Sequence, residues 1–170
     1  MAAQALTFQE HFKMSDETIN GGCLCGAIRY QASHRIGGAI PCHCRRCQRI
    51  TGSAFWVGTL YPRENFQLTQ GEVIWYASSE LCDRAFCGTC GSQLFALYSK
   101  PEFSGWIGIA LGSHDDPNAV PAEAHFGVES QQAWLKLDDD LPTHKIPDTF
   151  IEDAAAGNSD AYAAIPKIPK

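Results

Sequence analysis

Seven of the eight cysteines fall into three tight runs: Cys23-Leu24-Cys25, Cys42-His43-Cys44-Arg45-Arg46-Cys47 and Cys87-Gly88-Thr89-Cys90. Cys82 stands alone before the last run. Such spacing constrains the fold more than any hydrophobic pattern, because close thiols act either as cross-links or as metal ligands. Two cysteines one residue apart are poorly placed to bridge each other, and several tight clusters make an odd disulfide framework. The compartment points the same way. The N-terminus, MAAQALTFQEHFKMSDE, carries Glu10 and Asp16 and has no basic start followed by an apolar stretch, so it does not resemble a secretory signal. A cytoplasmic address is expected, where thiols stay reduced and free to bind metal.

Zinc takes four thiolates in a closed structural site, and three protein ligands plus an open position in a catalytic one. Seven clustered cysteines divide into four plus three. Spacing alone also allows a ribbon made of Cys44/Cys47 with Cys87/Cys90. The residue after each pair separates the two divisions. Gly26 and Gly91 follow Cys25 and Cys90, and glycine permits the positive-φ turn that aims backbone N–H groups at thiolate sulfur. Gln48 follows Cys47 instead. The expected closed site is therefore Cys23, Cys25, Cys87 and Cys90. The expected open and catalytic site is Cys42, Cys44 and Cys47, giving two Zn2+ per chain. His43 lies between two ligands and is expected to point away from the metal. Cys82 is expected to be a small buried residue.

A net charge of -6 argues against a general binder of nucleic acid or anionic membranes. No apolar run approaches the roughly 18 residues needed to span a bilayer. The charge is unevenly spread, however. Between Glu17 and Glu64 there is no acidic residue, while Arg29, Arg35, Arg45, Arg46, Arg49 and Arg63 all fall there, together with five of the cysteines. Three thiolates outweigh one divalent ion, so Arg45, Arg46 and Arg49 are the candidates to neutralise the open site or to hold a carboxylate there.

From Gly21 onward the chain breaks into short pieces rich in aromatic and branched residues: AIRYQA, AFWVGTLY, VIWYA, SQLFALY and WIGIAL. Tyr61-Pro62, Gln70-Gly71 and Asp116-Pro117-Asn118 mark turns between several of them. These features predict one mainly β, antiparallel domain over residues 20–147 with cysteines on its loops. An N-terminal arm over 1–19 and a C-terminal extension over 148–170 flank it. The aromatics Phe55, Trp56, Trp75, Phe86, Phe95 and Trp106 are expected in the core. His125 and Asp115 lie further on, and nothing in the sequence brings them to the cysteines.

The runs GGCLCGAIRY, PCHCRRCQRITGSAF and RAFCGTCGSQLF resemble the glutathione-dependent formaldehyde-activating enzymes, also called the centromere protein V type. A weaker LGSHDDPNAVPAEAHF, then Trp134 and Asp140-Leu141-Pro142, extend the likeness to about residues 20 to 142. The resemblance implies an Mss4-like fold of twisted antiparallel sheets stapled by zinc, with the same four-plus-three division of ligands. It implies a carbon–sulfur lyase acting on S-(hydroxymethyl)glutathione, with a small thiol such as glutathione as partner. Two alternatives have other chemistry: a non-catalytic, zinc-stabilised protein-binding module, and a thiol redox enzyme of the methionine sulfoxide reductase type using Cys82.

Overall fold

The computed structural model describes residues 14–146. Its twelve strands are β1 (Met14–Ser15), β2 (Ile19–Gly22), β3 (Arg29–Ala32), β4 (Arg35–Cys42), β5 (Trp56–Pro62), β6 (Phe66–Gln70), β7 (Ile74–Ser79), β8 (Cys82–Phe86), β9 (Gln93–Tyr98), β10 (Trp106–Ala110), β11 (His125–Phe126) and β12 (Thr143–His144). One α-helix, α1 (Arg45–Thr51), interrupts them. The larger sheet runs β12-β11-β4-β5-β10-β9-β8-β7, with β1 added beside β4, and the smaller runs β2-β3-β6. The expected mainly β architecture is what the structure shows. The pairing is antiparallel except at one end, where β11 lies parallel to both β4 and β12.

The predicted strand segments lie on β3, β5, β7, β9 and β10, each shifted by at most two residues. β4 was not predicted because its sequence, RIGGAIPC, reads as a series of breakers. It tolerates Gly37 and Gly38 through a register shift between Ile36 and Ile40. Of the N-terminal arm, residues 14–19 are described, and Met14 and Ser15 pair with Ile36 and Arg35. The C-terminal extension lies outside the described residues.

Strand periodicity gives the larger sheet two distinct faces. Tyr61, Ala85, Phe95, Ile107 and Ile109, all odd-numbered, pack with Ile19, Tyr30 and Ala32 of the smaller sheet and with Ile28 just before β3 to form the core. Tyr30 meets Phe95 edge-on at 5.0 Å, and Phe66 meets Phe95 at 4.9 Å. Apart from Leu94, which joins the core where the register of β8 and β9 shifts, the even-numbered residues named next point the other way. The register keeps them together across strands: Ile36 opposite Leu60, Cys42 opposite Trp56, Leu60 opposite Gly108, Gly108 opposite Ala96, and Cys82 opposite Tyr98.

Of the aromatics expected in the core, Phe95 and Trp106 are buried. Trp75 is 41% exposed, because β7 is the edge strand of the larger sheet among the described residues. Trp56 faces away from the core and lies across Gly58, where a Cβ would enter the indole ring.

His114 sits at the end of the core with both ring nitrogens buried and unpartnered. Burial, and then the charge of Arg35, push its pKa from 6.5 down to about 4. The unfolded chain therefore binds more protons between these values, so stability is full above pH 6.5 and falls as pH drops towards 4. The loss amounts to roughly 3 kcal/mol at most. Denaturant unfolding of His114→Leu between pH 7 and pH 4.5 should show a flatter pH dependence than the wild type; parallel curves would remove His114 from this role.

Candidate metal centre

Cys23 and Cys25 follow β2, and Cys87 and Cys90 follow β8, so their four sulfurs join the two sheets. Within this group Cys23 and Cys25 sulfurs are 3.5 Å apart, and those of Cys25 and Cys87 are 3.8 Å apart. Four sulfurs at ~2.3 Å from one zinc ion in a tetrahedron stand about 3.8 Å from each other, so the donor set fits zinc. Gly26 and Gly91 adopt φ of 76° and 75°, with open space where a Cβ would stand. At these turns Gly26 N–H donates to the Cys23 carbonyl at 3.1 Å and Gly91 N–H to the Cys87 carbonyl at 2.8 Å. Ile28 N–H donates to Cys23 Sγ at 3.3 Å. Cys90 is drawn down to about 5, first by the Ser92 hydroxyl and then by backbone N–H groups of Ser92 and Cys25. Such support favours the thiolate form that metal requires.

The second group, Cys42, Cys44 and Cys47, has its three sulfurs within 4.8 Å of one another. Cys42 ends β4, Cys44 is the N-cap of α1, and Cys47 lies in the first turn of that helix. Cys44 Sγ accepts from Cys47 N–H at 3.5 Å, as a capping oxygen would. Gly52, at φ 63°, ends the helix in the left-handed region. No periodic helical signal marks this segment, because α1 has only seven residues. Gln48 fixes the helix from the side, donating to the carbonyls of His43 at 2.6 Å and Ser130 at 2.9 Å. Hydrogen bonds from the Cys42 and Cys47 thiols, followed by the backbone N–H groups of Cys47 and Arg46, pull Cys44 down to about 2 against burial. Cys42 is pushed up to about 12, principally by Cys44. The three thiols thus share negative charge centred on Cys44.

His43 is not part of this group. Its fully buried ring packs against Phe55 at 5.2 Å and meets His125, Nε2 to Nδ1, at 3.0 Å. His125 Nε2 lies 2.9 Å from Asp139 Oδ2. An ionised carboxylate only accepts, so His125 Nε2 carries the proton, its Nδ1 accepts, and His43 Nε2 donates. His125 reaches this position because β11 runs parallel to β4, with His43 N–H donating to the Phe126 carbonyl at 2.7 Å. That long-range pairing was not legible in the sequence. The signal was the histidine at the end of LGSHDDPNAVPAEAHF. Asp115 lies elsewhere and pairs with Arg29 at 2.9 Å.

The triad opens into a cavity of about 410 Å³ on the even-numbered face of the larger sheet. Cys42, Cys44 and Cys47 line one part of it, and none of the four sulfur residues of the first group does. Among the three arginines expected at the site, Arg46 lines the cavity. Arg45 and Arg49, one helical turn apart, share the exposed face of α1 and do not line it. Arg84, Tyr98 and Lys100 also line it, and no local signal marks them: β8 and β9 bring Arg84 and Tyr98 alongside by pairing, and Lys100 follows β9 by two residues. Cys82 is buried, as expected, but it also lines this cavity, and burial pushes its pKa up.

A closed four-thiolate set joining two sheets, and a three-thiolate set open to a cavity, define a β protein able to hold metal at two separate places. Among the described residues no helix is long and apolar enough to cross a membrane. The chain belongs to the glutathione-dependent formaldehyde-activating enzyme family, which it matches over residues 18–130. Over 80 residues it is 32% identical to an uncharacterized lyase of Schizosaccharomyces pombe; this stretch covers 47% of the chain and 58% of that relative. The chain thus spans less than two thirds of that relative's length. A Rhodobacter sphaeroides protein of known crystal structure superposes with a TM-score of 0.47 at 19% identity, over 61% of this chain and 99% of that one.

Proposed function

We propose that the chain is a zinc-dependent carbon–sulfur lyase that reversibly joins a small thiol such as glutathione to an aldehyde, as in formation of S-(hydroxymethyl)glutathione. The observation that carries this reading is the contrast between the two sulfur groups. Four ligands close one, whereas the other has three and faces a cavity large enough for a substrate. Cys42, Cys44 and Cys47 would hold the zinc, which would supply the Lewis acidity that favours the reactive thiolate form of a thiol substrate. The thiolate sulfur attacks the carbonyl carbon, one S–C bond forms, and the π pair moves to oxygen. That oxygen takes up one proton, balancing the proton released when the thiol ionised.

The chain's own residues prepare this step. Cys44 concentrates negative charge where metal is to be held, and Gln48 and Cys44 fix α1. Arg46 supplies positive charge in the cavity wall for a thiol's carboxylate, with Arg45 and Arg49 reinforcing the potential from the exposed helix face. The cytoplasm provides the reducing surroundings that free thiols need. A fully ligated binding module fits less well, since neither His43 nor Cys82 joins the triad's donor set. A redox role for Cys82 is disfavoured by its raised pKa, opposite to that of a reactive thiol.

Purified protein should contain two zinc ions per chain, the triad's ion leaving first to a chelator, and should bind glutathione in calorimetry. One ion per chain, or no glutathione binding at millimolar concentration, would overturn the proposal.

A further inference from the structure

The cavity is far larger than a one-carbon aldehyde needs, and its walls have a definite chemistry. Its floor is the even-numbered face of the larger sheet, where Gly38, Gly58 and Ala96 contribute almost no side chain. Ile36, Ile40 and Leu60 rise from β4 and β5, and Trp56 lies over Gly58. Leu81, Phe103 and Phe126 close the remaining sides. The indole of Trp56 covers Gly58, and Pro121 and Glu123 cover Gly38. The cavity framed by the apolar side chains, about 410 Å³, falls in the range of small-molecule sites.

Among the described residues, the charged side chains lining the cavity are Arg46, Arg84 and Lys100, all cations. Such a cavity favours a molecule with an apolar body and an anionic group, with its reacting atom at the sulfur cluster. Glutathione brings carboxylates but little apolar surface, and formaldehyde brings none. The apolar walls therefore have no counterpart in either molecule.

We propose that the preferred carbonyl partner at this site is an aldehyde bearing a hydrophobic group about the size of an aromatic ring, which occupies the hollow between Trp56, Leu60 and Phe126. The inference rests on the thiol–aldehyde reading above and specifies its substrate class. The step is the same addition: the thiol sulfur bonds to the aldehyde carbon, the carbonyl oxygen becomes hydroxyl, and the thiol's proton balances it. The cationic wall receives the thiol's carboxylate, and the ring is removed from water.

The test is the rate of hemithioacetal exchange of glutathione with phenylacetaldehyde and with formaldehyde, measured by NMR on the metal-loaded full chain. The expected kcat/KM is about tenfold or more higher for phenylacetaldehyde, since burying a ring recovers much of its transfer free energy. Ala96→Leu, which fills the floor, and Leu60→Trp, which narrows the wall, should each reduce that ratio. If one variant does not fold, the other and the wild-type ratio still decide. Acceleration with formaldehyde alone overturns this inference and leaves the thiol–aldehyde reading intact. Equal rates for both aldehydes, unmoved by either variant, also overturn it. Acceleration with neither aldehyde removes both.

Discussion

Cys87→Ser is expected to leave the chain unfolded or aggregated, whereas Cys44→Ser is expected to remain folded with one metal ion fewer. The asymmetry follows from placement. Cys87 is 1% exposed, its sulfur belongs to the group that ties β2 to β8, and it is part of the hydrophobic core. Structural zinc in small peptides contributes on the order of 10–16 kcal/mol at neutral pH, comparable to the whole stability of a domain. Loss of a ligand there removes an interaction the fold cannot replace. Cys44 caps a seven-residue helix at the cavity, outside the contact between the two sheets. Serine is itself a favoured N-cap residue, so α1 keeps its cap and the core remains. Thermal melts with metal counts on both variants provide the check. The opposite ranking of melting temperatures would mean that the two groups have exchanged roles.

Arg46→Glu is expected to weaken glutathione binding by about ten- to a hundredfold while binding of mercaptoethanol changes little. Arg46 is the member of the α1 arginine trio that lines the cavity, and a charge-assisted hydrogen bond to a carboxylate contributes roughly 1.5–3 kcal/mol. An uncharged thiol makes no such bond. Because the same cation adjoins the three thiolates, calorimetry of both thiols has to be accompanied by a metal count in the variant. With both ions retained and both affinities unchanged, Arg46 has no recognition role.

The closed cysteine group was legible because local chemistry announces it. Gly26 and Gly91 are needed at positive φ, and each lies directly after a cysteine of the group. The strands with strong aromatic and branched composition were legible for the same reason: β5 and β9 state their pattern within six or seven residues. What escaped depends on partners distant in sequence. β4 is a central strand despite its glycines because β1, β5 and β11 pair with it. His125 becomes a neighbour of His43 only through that pairing, across 82 positions. Arg84 and Lys100 look like ordinary surface cations until β8 and β9 bring them to the cavity. Conversely, the expectation for Trp56 used the alternation of apolar and polar residues, which does not tell a core face from a cavity face.

The alternation along β4, β5, β8 and β9 divides labour between neighbouring residues of a single strand. Leu60 lines the cavity and Tyr61 packs in the core; Ala96 and Phe95 share out the same duties. Point changes at even positions can therefore alter which molecules fit without drawing on the interactions that keep the sheets together. Over evolutionary time such an arrangement lets relatives diverge in substrate while retaining one scaffold, and the record of that divergence would be variable even positions beside constant odd ones. Insertion or deletion of a single residue has the contrary effect, since it exchanges the two sets at once and presents cavity residues to the core.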